Sequence, residues 1–237
     1  MEIIDNGAII GLLKFFSHKE YAEDLLNGKL YCHESGWFRK LDDKYRGDQY
    51  DGKMPLNVDG MLVEWGPIRC ISSGVAVKGF NNDNKLPIYC LSVIDIKILD
   101  KVSGTSYILK PTFVEKMKQF GTYLAILNNY SEFLRIVTSH ADTKQLAASH
   151  FRVEYSNIMN EYDTGFTENK RSLKHFFIKD KEYEYQNEFR FLWQRKDGVL
   201  LIDNAKDHIV LDIGYPLSGV VASIDELASE PFTFKAI

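Results

Sequence analysis

Glu188 and Arg190 stand two residues apart in KEYEYQNEFRFLW, residues 181–193, the most chemically loaded stretch of the 237-residue chain. Read as a strand of period two, it places Glu182, Glu184, Gln186, Glu188 and Arg190 on one face and Tyr183, Tyr185, Asn187, Phe189 and Phe191 on the other. The aromatic face suits a core. A row of glutamates costs cross-strand repulsion unless cations oppose it or water reaches it. Two readings follow: a solvated edge face, or the wall of a cleft in which Glu188 and Arg190 act on a ligand as the candidate catalytic pair.

A second group lies in GWFRKLDDKYRGDQYDG, where Trp37, Phe38, Arg39, Arg46 and Asp48 fall close together. Arginine forks suit phosphate or carboxylate, and aromatic planes suit a flat ring, so Trp37, Arg39 and Arg46 are candidate ligand-binding residues. A loop anchored by Arg–Asp pairs is the competing reading. Asp42, Asp43, Asp48 and Asp51 are the densest carboxylates and the natural place to look for a divalent ion. Their mixing with Lys44, Arg46 and Gly47 reads instead as a solvated surface, and no metal is expected.

Other chemistries lack their signatures. The chain has no GxxxxGK[ST], GxGxxG, GxSxG, HExxH or CxxC. Its six histidines are scattered, and only His18, beside a helix start, is kept as a site candidate. Cys32, Cys70 and Cys90 sit in apolar text and read as small hydrophobes. A formal net charge of -4 argues against nonspecific polyanion binding; Lys170, Arg171 and Lys174 form the nearest basic cluster and read as surface. An acidic balance with many aromatics is compatible with a protein partner.

The elements that must position these residues read as an α+β single domain over residues 1–237, with a mostly antiparallel sheet, a few short helices and a long loop or insertion at residues 42–60. A strand at residues 14–16 leads through a Ser17/Glu20 capping box into a helix closed by Asn27 and Gly28, then into a strand at residues 30–33. Strands are expected at residues 61–64, 68–72, 75–78 and 86–93, and again at 122–127, 151–155, 183–194 and 199–202, with a hairpin turn at Asp197 and Gly198. Thr112 and Glu115 cap one helix; Phe133, Ile136, Val137 and His140 stripe another. No run approaches the roughly 20 apolar residues that span a bilayer, and residues 1–5 lack a secretory leader, so a cytoplasmic protein is expected.

The order of FFSHKEYAEDLLNGKLYCHESGWFRKLDDKYRGDQYDG, PIYCLS, FGTYLAILNNYSEFLRIV, FRVEYS and FFIKDKEYEYQNEFRF resembles an uncharacterised bacterial and phage-associated protein family, whose late block carries a Glu-x-x-Glu or Glu-x-Glu-like pattern followed by Arg. Glu184, Glu188 and Arg190 hold that place. The layout also resembles, remotely, the ADP-ribosyltransferase fold, in which early, middle and late strands converge on NAD. That resemblance implies a split antiparallel sheet around a cleft, with Ser17 or His18 after the early strand, Ser92 ending the middle strand, and Glu188 as the late acid. NAD would be the substrate, Glu188 would stabilise the charge that develops at the ribose, and Trp37 would stack on the nicotinamide, because strand parity turns Tyr183 and Tyr185 away. The early strand reads KFFS where the fold ordinarily has a His or Arg. A non-catalytic phage or prophage protein that modulates a host or defence protein is the alternative.

Overall fold

In the computed structural model, which describes residues 8–41, 43, 45–57, 59–78, 83–157, 173–202, 206–229 and 232–233, the β-branched and aromatic runs form one main antiparallel sheet flanked by short helices. The chain is an α+β domain. It opens with β1 (Gly11–Phe16), α1 (Lys19–Leu26), β2 (Lys29–Glu34) and α2 (Ser35–Lys40). Small hairpin strands follow: β3 (Met54–Asn57), β4 (Leu62–Trp65), β5 (Ile68–Ile71) and β6 (Val75–Lys78). The central strand β7 (Pro87–Ile94) then gives way to β8 (Leu99–Ser103), β9 (Ser106–Leu109) and α3 (Pro111–Met117). After β10 (Tyr123–Leu127) and α4 (Tyr130–Thr143) come β11 (Leu146–Arg152), β12 (Glu154–Ser156), β13 (Ile178–Asp180) and β14 (Glu188–Arg195). The chain ends with β15 (His208–Asp212), β16 (Gly219–Ser223), α5 (Ile224–Ser229) and β17 (Phe232–Thr233).

The main sheet runs β11-β14-β7-β1-β10-β16, and β2, carrying β15, joins the same side of β7 as β1. That double pairing splits the sheet. β1 meets β7 only through Gly11–Ile94, Leu12–Val93 and Leu13–Ser92, whereas β2 meets its other end through His33–Ile88 and Glu34–Pro87. Between the two contacts one edge of β7 has no strand beside it among the described residues. A fork opens there.

Each face of the sheet buries its own cluster. Leu12, Tyr89, Leu91, Val93, Phe189, Phe191 and Trp193 pack with Ala22 and Leu25 of α1 and Phe133, Val137 and Ala141 of α4. Leu13, Phe15, Ile94 and Leu124 pack with Phe113, Val114 and Met117 of α3 on the opposite face. Each large apolar side chain so buried contributes about 1.5–3 kcal/mol. The aromatic face expected for Phe189 and Phe191 is therefore real, and Trp193 stacks on Phe191 with ring centroids 5.6 Å apart.

Several local expectations give way. Residues 181–186 are not strand: Lys181–Gln186 is a 3₁₀ turn, started by the Asp180 carboxylate accepting from the Glu182 N–H and ended by Asn187 in the left-handed region at φ 46°. The single acidic face from Glu182 to Arg190 is thereby broken, with Glu182 and Glu184 exposed and only Glu188 and Arg190 left on a common strand face. The Ser17/Glu20 box does not form, since His18 is the N-cap of α1 and gives no side-chain cap. α3 begins at Pro111 after Lys110, so Thr112 is already inside it. Residues 199–202 follow a turn at Asp197 and Gly198 without forming a strand, and the strand expected over residues 151–155 is interrupted at Val153 between β11 and β12. Of the expected basic cluster, Lys170 and Arg171 lie outside the described residues, as does Asp42. Among the described residues no helix is long and apolar enough to cross a membrane.

Candidate functional site

The fork between β1 and β2 opens into a cavity of about 600 Å³, lined by Lys14 and Phe16 of β1, Tyr31 and His33 of β2, Trp37 and Phe38 of α2, residues 88–92 of β7, Arg46, Phe120, Lys179, Gln186, Glu188 and Arg190. This volume lies in the range of small-molecule sites. Its floor is the strand row β14-β7-β1, in which Glu188 stands opposite Ser92 and Ser92 opposite Leu13. Period-two geometry puts Cys90, Ser92, Glu188 and Arg190 on one face and Lys14 and Tyr89 on the other. The cavity is reached by side chains of both.

Glu188 is buried together with Arg190, Lys179 and Asp51. The Arg190 guanidinium uses all five of its N–H groups. Nε donates to Glu188 at 3.0 Å, one terminal nitrogen to Asp51 at 2.8 Å and to the Phe176 carbonyl at 2.7 Å, and the other to Asp51 at 2.7 Å and Glu188 at 3.3 Å. Lys179 donates to Gln186 at 2.8 Å and lies 3.3 Å from the second Glu188 oxygen. Burial alone would push the Glu188 carboxyl up. The charges of Arg190 and Lys179, with hydrogen bonds from Arg190 and Cys90, outweigh burial and hold it at about 2. Glu188 is thus an anion at any ordinary pH: it can stabilise positive charge or accept hydrogen bonds, and it cannot serve as a general acid.

Asp48 and Asp51, expected on a solvated surface, are among the most buried carboxylates of the described residues. The chain from Tyr45 to Gly52 is drawn under β14: the Tyr183 hydroxyl donates to the Gly47 carbonyl at 2.9 Å, Gln186 to the Tyr45 carbonyl at 2.8 Å, and Arg39 to the Asp51 carbonyl at 2.6 Å. Gly52, at φ 65°, has room only for hydrogen, since a Cβ there would come 2.3 Å from the Phe176 ring. Asp48 accepts from the Tyr50 N–H at 2.9 Å, but its other oxygen is buried with no hydrogen-bond partner. Burial first and Asp51 second push the Asp48 carboxyl up to about 6. The remainder of the stretch at residues 42–60 includes β3, so the expected loop is a docked segment carrying a short strand.

At the aromatic end His33 lies flat on Trp37, with centroids 3.7 Å apart and planes 9° apart, and Phe38 meets Trp37 edge-on. Burial lowers the His33 imidazole to about 4, so it is neutral at neutral pH. Arg46 donates to the Gln119 and Phe120 carbonyls, both at 3.1 Å, which tethers its segment to the turn before β10.

The fork therefore gathers Trp37, Arg46, Ser92, Glu188 and Arg190. It leaves out Ser17 and His18, which are exposed at the end of β1, and Arg39, which does not line the cavity and donates to the Asp51 carbonyl. Lys14 and Lys179 belong to the site and no motif singles them out, while Asp51, read as solvated surface, and Gln186, read as strand, join it too. A lone lysine in the apolar runs GLLKFF and FFIKD was the available signal. No group of three or more His, Cys, Asp or Glu side chains placed to hold a metal ion occurs among the described residues. The chain matches no protein-family model, no curated protein and no solved structure.

Proposed function

We propose that the fork binds NAD or a closely related nucleotide and that the protein cleaves its nicotinamide–ribose bond, passing the ribosyl group to water or to an acceptor. One observation carries this reading: the early, middle and late strands β1, β7 and β14 lie side by side, with Ser92 directly opposite Glu188 on the floor of an aromatic-walled cavity. As the C–N bond breaks, its electron pair leaves with nicotinamide and positive charge grows on the ribose. A carboxylate held ionised in a site shielded from bulk water stabilises that charge. Trp37 and its neighbouring rings suit the flat base, and Arg46 brings a cation to the same cavity for a phosphate. Arg190, with every donor engaged inside the protein, is a positioning residue that fixes Glu188. Purified protein incubated with NAD is expected to release nicotinamide. Glu188→Gln should abolish release while nucleotide binding, read by calorimetry, persists. Release that is absent in the wild type or undiminished in Glu188→Gln would overturn the reading.

A non-catalytic binding protein is the second reading, and a different surface favours it. The β4–β5 hairpin presents Leu62, Ile68 and Ile71 at 60%, 59% and 74% exposure. Apolar side chains so displayed mark a surface that a protein partner can cover. Affinity capture from bacterial lysate should then recover one stoichiometric partner with the wild type and lose it with Leu62→Asp/Ile71→Asp. Equal recovery by both would remove this reading.

A further inference from the structure

The cavity holds a second chemically distinct group on β1. Lys14 is the first residue past the last β1–β7 pair, at the point where β1 peels away from the central strand. Its neighbours in GLLKFF are all apolar or glycine. The amine turns back into the fork and donates at 2.7 Å to the Cys90 carbonyl, on the edge of β7 that β1 has just left, and it lies 4.3 Å from the centroid of the Tyr89 ring. No carboxylate comes within ion-pair reach of it among the described residues, whereas Lys179 and Arg190 in the same cavity both have one. Capping a single carbonyl does not need a charge. A lysine at this place brings a nucleophile.

We propose that Lys14 is a reactive amine that condenses with an aldehyde or ketone admitted to the fork. The neutral amine uses its lone pair to form a C–N bond to the carbonyl carbon. The carbonyl π electrons move to oxygen, and a proton passes from nitrogen to that oxygen. Loss of one water then leaves the imine, with no oxidant or reductant required. Desolvation in an apolar pocket is a recognised way to raise the free-amine fraction of a lysine. Burial lowers the Lys14 ammonium below the ordinary lysine value, and the nearby Arg46 charge lowers it further, against partial opposition from Cys90, Cys32 and Glu188. Burial also pushes the Cys90 thiol up, so it stays protonated and does not compete as nucleophile. The walls formed by Phe16, Tyr31, Trp37 and Tyr89 select a flat, aromatic carbonyl compound over a small polar one. The inference is independent of the nucleotide reading.

The test is reductive alkylation of the full chain with benzaldehyde and cyanoborohydride near neutral pH, followed by peptide mapping. Lys19, exposed on α1, is the internal reference. Lys14 is expected to acquire its benzyl group about tenfold faster than Lys19, as a desolvated amine should, with a rate that saturates at lower pH. Unfolding in urea should remove the difference. Lys14→Arg, which keeps a donor for the Cys90 carbonyl, should lose that label and retain the one on Lys19. Native Lys14 that reacts no faster than Lys19, or fails to react while Lys19 does, overturns the proposal without reliance on any variant.

Discussion

Arg190, buried, and Lys14, half-buried, are two cations in the same fork, and their surroundings differ in a way that separates scaffold from chemistry. Arg190 spends five donors on two carboxylates and a carbonyl, a closed arrangement that joins β14 to the chain around Asp51. Lys14 has one hydrogen bond and a ring. A cation whose N–H donors are all taken inside the protein is costly to disturb and has no donor left for a ligand. A charge with spare capacity facing a cavity can be removed cheaply and changes what the cavity does.

The largest effect is expected on the closed side. Arg190→Met strands Asp51 as a buried anion without its ion-pair partner, leaves Glu188 with Lys179 alone, and should cost about 3–5 kcal/mol in urea unfolding; a cost under about 1 kcal/mol would break the comparison. Glu188 comes next. Its folded value of about 2 lies below the ordinary 4.5, so its contribution is fully present above pH 4.5 and is lost as pH falls toward 2. The wild type should lose up to about 3 kcal/mol across that window, and Glu188→Gln should be flatter there when melting is followed against pH.

Asp48 has the opposite sign. Its folded value of about 6 lies above the ordinary 3.8, so the folded state holds a proton that the unfolded chain has released, and stability falls as pH rises from about 4 through 6. Asp48→Asn keeps an acceptor for the Tyr50 N–H and removes the buried charge, so it should gain about 1–2 kcal/mol at neutral pH and erase that slope. The smallest effect belongs to the open cation. Lys14→Met loses one hydrogen bond and relieves one desolvated charge, and its unfolding free energy should move by less than about 1 kcal/mol, while aldehyde labelling at that position disappears.

Periodicity was legible where packing reinforced it. The runs that became β1, β2 and β10 put alternating or continuous apolar residues into the core, and the Phe133–Val137 stripe of α4 follows helical spacing. The alternation of KEYEYQ was equally clear and misleading. Asp180 caps that stretch into a 3₁₀ turn, Asn187 ends it in the left-handed region, and Tyr183 and Gln186 are held by carbonyls more than 130 residues earlier. Asn187 itself donates to the Val93 carbonyl and Asp95 and accepts from Arg152, a knot that no local pattern announces.

The sequence by itself determined the α+β class, the places of β1, β2, β4, β5, β6, β7, β10 and β14, and the identity of Glu188, Arg190, Trp37 and Arg46 as residues of interest, because hydrophobic period and residue chemistry are local properties; Ser92 came from the resemblance to the ADP-ribosyltransferase fold. Only the tertiary structure decided that Asp48 and Asp51 lie buried beneath β14, that Arg190 is fully engaged, and that Lys14 stands at the point where the sheet divides. Burial and charge compensation depend on which distant strand arrives beside a residue. Arg190 and Asp51 are separated by 139 positions.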